Sequence, residues 1–265
     1  MTGLTPADKT QPVPLATIAA YLDEYLRVSE VPDEPGALNG LQAENQSGTV
    51  SRIVAAVDAS LATIETAACE EPCLLLVHHG LFWDGNVPLT GRRYRRIRAL
   101  LENDIALYSA HIPLDVHTEV GNNYVLARQL GLGALEFFDL YRGVPLGVKG
   151  RLEKPVPRDD FLARVETLLG SRGKLMPGGP ELTEWVGIVT GGAGSRIAAA
   201  QAAGVDTFVT GEGAHHTYFD AMELGVNAIY AGHYATETAG VKALAEHCAG
   251  KFGLPWEFHD HPTGL

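Results

Sequence analysis

The sequence predicts an α/β fold made of two pseudo-equivalent halves. Short apolar runs alternate with Ala- and Leu-rich stretches of helical periodicity, which indicates βαβ units with right-handed crossovers. The same order of strand, helix, strand, helix and strand occurs twice along the 265 residues. We therefore predict one compact unit with a first half over residues 1–141, a connecting segment over 142–185 and a second half over 186–265.

The first half starts with the strand and helix of "IVAAVDASLATIETAA". Its second strand, "CLLLV", is apolar at every position, as expected of a strand that is buried on both faces. This strand runs into His78, His79 and Gly80. "GRRYRRIR" then places five arginines within residues 92–98 of a predicted helix, before the third strand, "IALYS". We interpret the arginines as a solvated helix face in preference to an anion- or nucleic-acid-binding patch.

The second half repeats this order in "VGIVTGGAGSRIAAAQAAGVDTFVTGEGAHH", "YFDAMELG" and "VNAIYAGHYATE". The connecting segment is rich in Gly and Pro, and "DDFLARVETLLG" predicts one helix in it, with Asp159 or Asp160 as the N-cap. "TAGVKALAEHCAGKFG" predicts a C-terminal helix, and "PWEFHD" predicts a final strand.

Composition restricts the class of protein. A net charge of −12 argues against general nucleic-acid binding, and 46% hydrophobic residues are enough for a full core. Cys69, Cys73 and Cys248 are too few for a disulfide framework and, without a second pair, give only a weak zinc signal. The start, "MTGLTPADKTQPVP", lacks the apolar core of a secretory signal. No apolar stretch approaches the roughly 20 residues that span a bilayer. We expect a cytoplasmic protein.

Side chains that ligate metals stand at corresponding strand ends of the two halves. Each third strand ends in a histidine that is followed four residues later by a carboxylate, and each second strand leads into paired histidines. The set comprises His78, His79, His111, Asp115, Glu212, His215, His216, His233 and Glu237. Ligands of open α/β sheets bind beyond the carboxyl ends of the strands, so we expect a metal site in a cleft between the halves.

Imidazoles and carboxylates together suit zinc, manganese, iron or nickel, whereas magnesium and calcium prefer oxygen alone. Adjacent histidines on an extended strand cannot easily bind one ion, but they can serve two neighbouring ions if the strand ends at Gly80. In two-metal hydrolytic sites the ions lie about 3.5–4 Å apart. Asp115 and Glu237 are both available to bridge them. The pattern therefore predicts two divalent transition-metal ions per chain.

Simpler interpretations of these residues exist. A histidine four residues from a carboxylate is also the ordinary pairing on a helix face, and an isolated histidine is usually structural. Recurrence at equivalent strand ends favours ligation. We interpret His215 and His216 as residues that cap a helix or lie behind the ligands. The remaining histidines we interpret as solvated; they are His117, His247, His259 and His261.

The segment "TGGAGS", residues 190–195, raises a nucleotide-binding alternative. Gly192 and Gly194 begin a dinucleotide-type turn, but Ile197 stands at the third glycine position and no P-loop lysine follows. We therefore predict a tight strand-to-helix turn. The sequence has no Gly-x-Ser-x-Gly elbow and no catalytic-cysteine context.

Six motifs occur in the order seen in one family: "NGLQ", "VHHG", "AHIPLDVHTEVGNN", "TGGAGS", "VTGEGAHH" and "AGHYATE". Over roughly residues 14–260 the chain resembles the NIF-three-like family, also called dinuclear metal centre hexameric proteins or type 2 GTP cyclohydrolase I homologues. The short connecting segment resembles the compact form without an inserted domain. One departure is Gly80, since many members have proline after the paired histidines.

The resemblance implies ligation by five side chains, with Glu237 bridging. These are His78, His79, Asp115, His233 and Glu237. His111, Glu212 and His216 match positions near the metal site that are not consistently ligands. The resemblance also implies a toroidal homohexamer whose metal sites face an internal cavity. It supports the metal site well and the reaction poorly, so we do not carry over GTP as a substrate.

Our leading hypothesis is a metal-dependent hydrolase that acts through a metal-bound hydroxide on a small, nucleotide-like or phosphorylated molecule, with His111, Glu212 or His216 moving protons. The alternative is a metal-binding regulator, chaperone or interaction protein without turnover. A third hypothesis, nucleic-acid processing, depends on the arginines of residues 92–98. We expect a small-molecule ligand and no membrane partner.

Overall fold

A computed structural model describes residues 11–265 of the chain. Most of the segment predicted to lack a secretory signal lies outside the described residues. Contacts divide the described chain into two compact units. The first unit comprises the residues up to Val28, Glu34–Ala110 and Ala245–His259; the second comprises Ser29–Asp33, His111–Leu244 and Asp260–Leu265.

The strands of the described residues are, in chain order, β1 (Val13–Pro14), β2 (Gly40–Ala43), β3 (Thr49–Val50), β4 (Arg52–Asp58), β5 (Cys73–His79), β6 (Ile105–Ser109), β7 (Gly133–Tyr141), β8 (Val144–Pro157), β9 (Lys174–Pro177), β10 (Leu182–Ile188), β11 (Thr207–Thr210), β12 (Asn227–Tyr230) and β13 (Trp256–Phe258). The helices are α1 (Leu15–Tyr25), α2 (Leu61–Ala67), α3 (Gly91–Glu102), α4 (Ile112–Asp115), α5 (Asn122–Gln129), α6 (Arg158–Leu169), α7 (Ile197–Ala202), α8 (Thr217–Leu224), α9 (His233–Thr236) and α10 (Thr238–Phe252), with a 3₁₀ turn at Gly194–Arg196.

The first unit is built on a five-stranded sheet of order β13-β4-β5-β6-β2. Strands β13, β4, β5 and β6 run parallel, and β2 pairs antiparallel with β6. Strand β5 lies between two parallel neighbours, and all its residues before His79 are buried, which confirms that "CLLLV" is a two-sided buried strand. Helices α2 and α3 cover one face of the sheet through Ile64, Ala67 and Leu100.

The second unit contains a six-stranded sheet of order β7-β8-β10-β11-β12-β9. Strands β10, β11 and β12 are parallel, and the remaining pairings are antiparallel. Helices α5 and α6 share one apolar core with Val186, Val209 and Ile229. Helices α7 and α8 share another with Phe208 and Ala228, so this sheet is covered on both faces.

These observations confirm the mixed α/β class and the predicted strand, helix, strand order around β4–β6 and β10–β12. The C-terminal helix and final strand are also present as α10 and β13. The pseudo-equivalence of the two halves stays a prediction. The compact units interleave along the chain, and residues 142–185 contain helix α6 and the strands β8 and β9 of the sheet of the second unit.

Two local details differ from the predictions. Helix α6 begins at Arg158 and follows Pro157, so Asp159 and Asp160 lie in its first turn and neither is the N-cap. Pro157 is the N-cap, and it makes no side-chain hydrogen bond to the helix. Among the described residues, no helix is both long enough and apolar enough to cross a bilayer.

Candidate metal centre

The paired histidines of the first unit stand at the carboxyl end of β5. The His78 side chain is fully buried, whereas His79 is partly exposed. Although consecutive strand residues normally point to opposite faces, the two ring centroids lie 4.7 Å apart with the rings tilted by 45°. The end of the strand therefore brings both imidazoles close to each other.

Each of these rings has an oxygen partner at Nδ1. His78 Nδ1 lies 2.8 Å from the Ala110 carbonyl oxygen, and His79 Nδ1 lies 2.9 Å from Asp58 Oδ1. A carbonyl or carboxylate oxygen only accepts, so Nδ1 must carry the proton in both rings. In a neutral imidazole the lone pair then belongs to Nε2, which is the state that a metal ligand needs.

The departure at Gly80 has a local explanation within the first unit. A Cβ at Gly80 would overlap the side-chain amide of Gln42. That amide accepts a hydrogen bond from the Leu81 N–H at 2.8 Å and donates to the Ala37 carbonyl at 2.8 Å. Gln42 of the "NGLQ" motif thus anchors the turn directly after the histidines, and Gly80 leaves room for it.

In the second unit, both His-x-x-x-carboxylate pairs lie on short helical turns and not on strand ends. Strand β6 ends at Ser109, and His111 is the N-cap of α4, which ends at Asp115. Strand β12 ends at Tyr230, and α9 begins at His233 and has Glu237 at its C-cap. The expected strand ends are therefore corrected to helical turns, in which residues four apart share a face.

The "TGGAGS" segment forms the predicted turn between β10 and α7, and this turn lies against His233 and Glu237. Gly191 has φ +70°, a conformation that favours glycine. A Cβ at this position would overlap Glu237 Oε1 and lie 3.2 Å from His233 Nε2. The glycine therefore makes the close approach of these two side chains to the turn possible.

His233 lies between two carboxylates. Its Nε2 is 3.3 Å from Glu237 Oε2, and its Nδ1 is 2.7 Å from Glu212 Oε1. The hydrogen bond with Glu237, opposed by burial and assisted by Glu212, raises the pKa of His233 to about 9. Glu237 itself is only 3% exposed. This arrangement of anionic oxygens around an imidazole can hold a cation.

Asp115 contacts the same turn through Thr190, the residue before Gly191. Its Oδ1 accepts hydrogen bonds from Asn122 Nδ2 at 2.9 Å and from Thr190 Oγ1 at 3.3 Å. Asn122 is itself fixed by the Gly240 N–H, which donates to its Oδ1 at 2.7 Å. Three of the five predicted ligands, Asp115, His233 and Glu237, therefore surround the Thr190–Gly191 turn within the second unit.

The other predicted residues of the second unit have different surroundings. His111 Nδ1 lies 2.8 Å from Asp33 Oδ1, so this ring is held in the same way as His78 and His79. Glu212 and His216 line a cavity of about 350 Å³ beside the glycine-rich turn. His215 packs edge to face against Phe219 and does not line that cavity.

Sequence reasoning missed several residues that position the candidate ligands. Asp58, which holds His79, ends a strand next to β5 and could have been found by its place at a carboxyl strand end. Asn122 lies in the quoted "VGNN" segment, and its role would have required knowledge of the fold. Asp33 gives no sequence signal, and Thr190 lies in the quoted "TGGAGS" segment, but the contacts of both depend on residues far away in the chain.

The donor set fits a transition-metal ion. Imidazole nitrogens and carboxylate oxygens are the mixed ligands that such ions accept. Five side chains of the described residues belong to groups that could hold a metal ion: His78 and His79 in the first unit, and His111, His233 and Glu237 in the second. Asp115 is not among them; its Oδ1 accepts the hydrogen bonds from Asn122 and Thr190.

The fold is α/β, its candidate imidazoles have oxygen partners at Nδ1, and buried carboxylates lie at its helical turns. These features are those of an α/β protein with a candidate metal-binding site. The sequence model of the Duf34/NIF3 (NGG1p interacting factor 3) family matches residues 14–262, and the chain belongs to this family. The earlier resemblance is thereby confirmed.

Relatives and solved structures agree over nearly the full length. The chain is 44% identical over 248 residues to a Deinococcus radiodurans protein named "GTP cyclohydrolase 1 type 2 homolog", a match that covers 94% of this chain and 93% of the relative. A Pyrococcus abyssi protein of the same name is 43% identical over 94% and 98% of the two chains. The crystal structure of TTHA1606 from Thermus thermophilus has a TM-score of 0.86 at 43% identity, covering 96% and 100%.

Proposed function

We propose that the chain binds two divalent transition-metal ions and hydrolyses a small phosphorylated or nucleotide-like molecule. The proposed ligands are the five side chains that the resemblance assigned, His78, His79, Asp115, His233 and Glu237. His111, Glu212 and His216 are proposed to position groups or move protons. The ions would be zinc, manganese, iron or nickel, which accept this donor set.

The arrangement at the histidine Nδ1 atoms is the observation that supports this proposal most. His78, His79 and His233 each place Nδ1 against a carbonyl or carboxylate oxygen, at 2.8, 2.9 and 2.7 Å. Metal-bound histidines are commonly held in this way, because the second contact fixes the tautomer and orients the ring.

Bound divalent ions in such sites supply an activated water and neutralise developing negative charge. The chain's own residues would prepare for that chemistry. Asp58 and Glu212 fix the orientation of the rings of His79 and His233. The low exposure of Asp115 and Glu237, 6% and 3%, keeps two negative charges in a region of reduced solvent screening, where a cation is held more strongly.

A substitution that removes one charge at nearly constant shape tests the proposal. Metal-loaded protein is screened against phosphate esters and nucleotides, together with Glu237→Gln and the control Glu223→Gln, which changes an exposed glutamate of α8 in the same way. We expect hydrolysis by the wild type and the control, and its loss in Glu237→Gln. Bound metal without turnover of any compound would contradict the hydrolase and favour a metal-binding regulatory, chaperone or interaction protein.

We also propose a homohexamer in the cytoplasm. The assembly rests on the family resemblance and on α8, where Tyr218, Phe219, Met222 and Leu224 are exposed although apolar, as is common at protein interfaces. The location rests on the three free cysteines. Light scattering coupled to size-exclusion chromatography should give the mass of six chains, and a monomer would contradict the assembly.

A further inference from the structure

The first unit contains a cavity of about 220 Å³ beside the paired histidines. Its wall is formed by the turns that follow β4 and β5 and by one side of α3, and includes Ser60, His79 and Trp83. Turns at the carboxyl ends of parallel strands are the usual ligand-binding edge of an α/β sheet. The cavity is smaller than the about 300–1,000 Å³ that encloses a whole drug-sized ligand, so it suits one end of a small molecule.

Two arginines of α3, Arg92 and Arg96, line this cavity, and they differ in their hydrogen-bond partners. Arg92 Nη2 donates to both carboxylate oxygens of Asp84, at 3.0 and 2.7 Å. Arg96 lies one helical turn further on the same face and is partly buried. Within residues 11–265, its guanidinium makes no hydrogen bond and no ion pair.

The surroundings of Arg96 favour an incoming anion. Burial, and then the neighbouring Arg92, lower the pKa of Arg96. A guanidinium nonetheless stays charged at neutral pH, so an anion that contacts it would offset both the lost hydration and the repulsion. The two acidic residues of the wall already have partners, since Asp84 binds Arg92 and Asp58 binds His79. Arg96 is thus a donor of this wall whose hydrogen-bonding capacity remains for a ligand.

An aromatic side chain lines the same cavity as Arg96. Trp83 is 39% exposed, and its ring lies edge to face with His79 at 6.1 Å. The Trp83 backbone is held close to Gly36, where a Cβ would lie 2.9 Å from Trp83 Cα. A partly exposed indole in a cavity that also contains a guanidinium suits a ligand that combines a planar ring with an anionic end.

We propose that Arg96 binds the phosphate of a phosphorylated substrate, with a planar ring of that substrate packed on Trp83. This proposal deepens the proposed function and rests on it, because the cavity also contains the candidate ligand His79. The fork of N–H donors on a guanidinium matches a phosphate, and the neighbouring Arg92 adds positive charge for a dianion. The arginines of residues 92–98 are therefore not all a solvated face: Arg96 serves the site, whereas Arg95 and Arg98 are exposed.

Calorimetric titration of the protein as purified tests this proposal with phenyl phosphate, inorganic phosphate and benzoate as probes. Arg96→Gln is compared with Arg95→Gln, which removes the same charge from an exposed position of the same helix. We expect Arg96→Gln to weaken phenyl phosphate binding roughly 10- to 100-fold, the range for one charge-assisted hydrogen bond, and Arg95→Gln to leave it unchanged. If Arg96→Gln disturbs folding, Arg96→Lys takes its place in the comparison. Arg96→Lys keeps the charge and should give an affinity between those of the wild type and Arg96→Gln.

Equal affinities of Arg96→Gln and Arg95→Gln would overturn the proposal, as would benzoate binding as tightly as phenyl phosphate. Inorganic phosphate should bind more weakly than phenyl phosphate, and the difference should shrink in Trp83→Leu. Oligonucleotide binding that both variants weaken alike would instead indicate a nucleic-acid surface and overturn the proposal. Elemental analysis of the same samples keeps the two proposals apart: absent metal refutes the metal centre, whereas unchanged phosphate affinity with metal present refutes only the Arg96 assignment.

Discussion

Gly191 provides a sharp test of the proposed ligands of the second unit, Asp115, His233 and Glu237, because a single methyl group at this position would overlap the Glu237 carboxylate. Gly191→Ala places a Cβ inside the contact distance of Glu237 Oε1. Gly204 is a matched control: its φ is +77° against +70° for Gly191, and a Cβ there would meet nothing within 4 Å. Both variants carry the cost of a left-handed alanine, roughly 1–2 kcal/mol. The comparison between them therefore isolates the overlap with the carboxylate.

The additional cost at Gly191 is that of overpacking a buried site. Glu237 is only 3% exposed and has little space to move, so forced displacement should cost about 1–3 kcal/mol beyond the control. Chemical denaturation measures this difference in the free energy of unfolding. Elemental analysis should show that Gly191→Ala loses bound metal and that Gly204→Ala retains it. Equal stability and equal metal content in the two variants would refute the claim that this glycine positions Glu237.

Three further predictions concern other groups. Cys69 is exposed, whereas burial raises the pKa of Cys73 and Cys248 to about 12, so a disulfide reagent should modify one thiol in the native protein and all three after denaturation. The carboxylates raise the pKa of His233 from 6.5 to about 9, so the stability they provide in chelator-treated protein is complete below about pH 6.5 and is lost as the pH rises through 9. The stability difference between wild type and His233→Gln should therefore be larger at about pH 6 than at about pH 10, and no change with pH would contradict this. Asp58→Asn weakens the acceptor that faces Nδ1 of His79 and should lower metal affinity about 10- to 100-fold. Competition with a chromogenic chelator measures this affinity.

The sequence was sufficient to predict the order of secondary structure around the sites. The apolar run of β5 and the helical spacing of the Ala-rich stretches are visible within short windows of the sequence. "CLLLV" and "TAGVKALAEHCAGKFG" could therefore be assigned from the residues alone. The N-cap of α6 was assigned wrongly because the helix begins at Arg158, which makes Pro157 the N-cap and places both aspartates inside the first turn. The His-x-x-x-carboxylate pattern fits a strand end and a helical turn equally well, and only the backbone of α4 and α9 distinguishes them.

The surroundings of the candidate ligands could not be predicted in the same way. Asp33 holds His111 from 78 residues away, and Thr190 reaches Asp115 across 75 residues. Such contacts depend on how strands and turns are arranged in space, and a single sequence carries no pattern for them. The use of Gly191 and Gly80 was also hidden, because a glycine that leaves room for a neighbour looks the same in sequence as one that only forms a turn.

The central claim is that the five proposed side chains bind a pair of metal ions. Anomalous scattering from crystals of protein purified without chelators tests it most directly, since it locates each ion and identifies the element. We expect two peaks per chain about 3.5–4 Å apart, with five protein ligands: His78, His79, Asp115, His233 and Glu237. Peaks elsewhere in the chain, or a fully loaded protein with no ion at these residues, would contradict it.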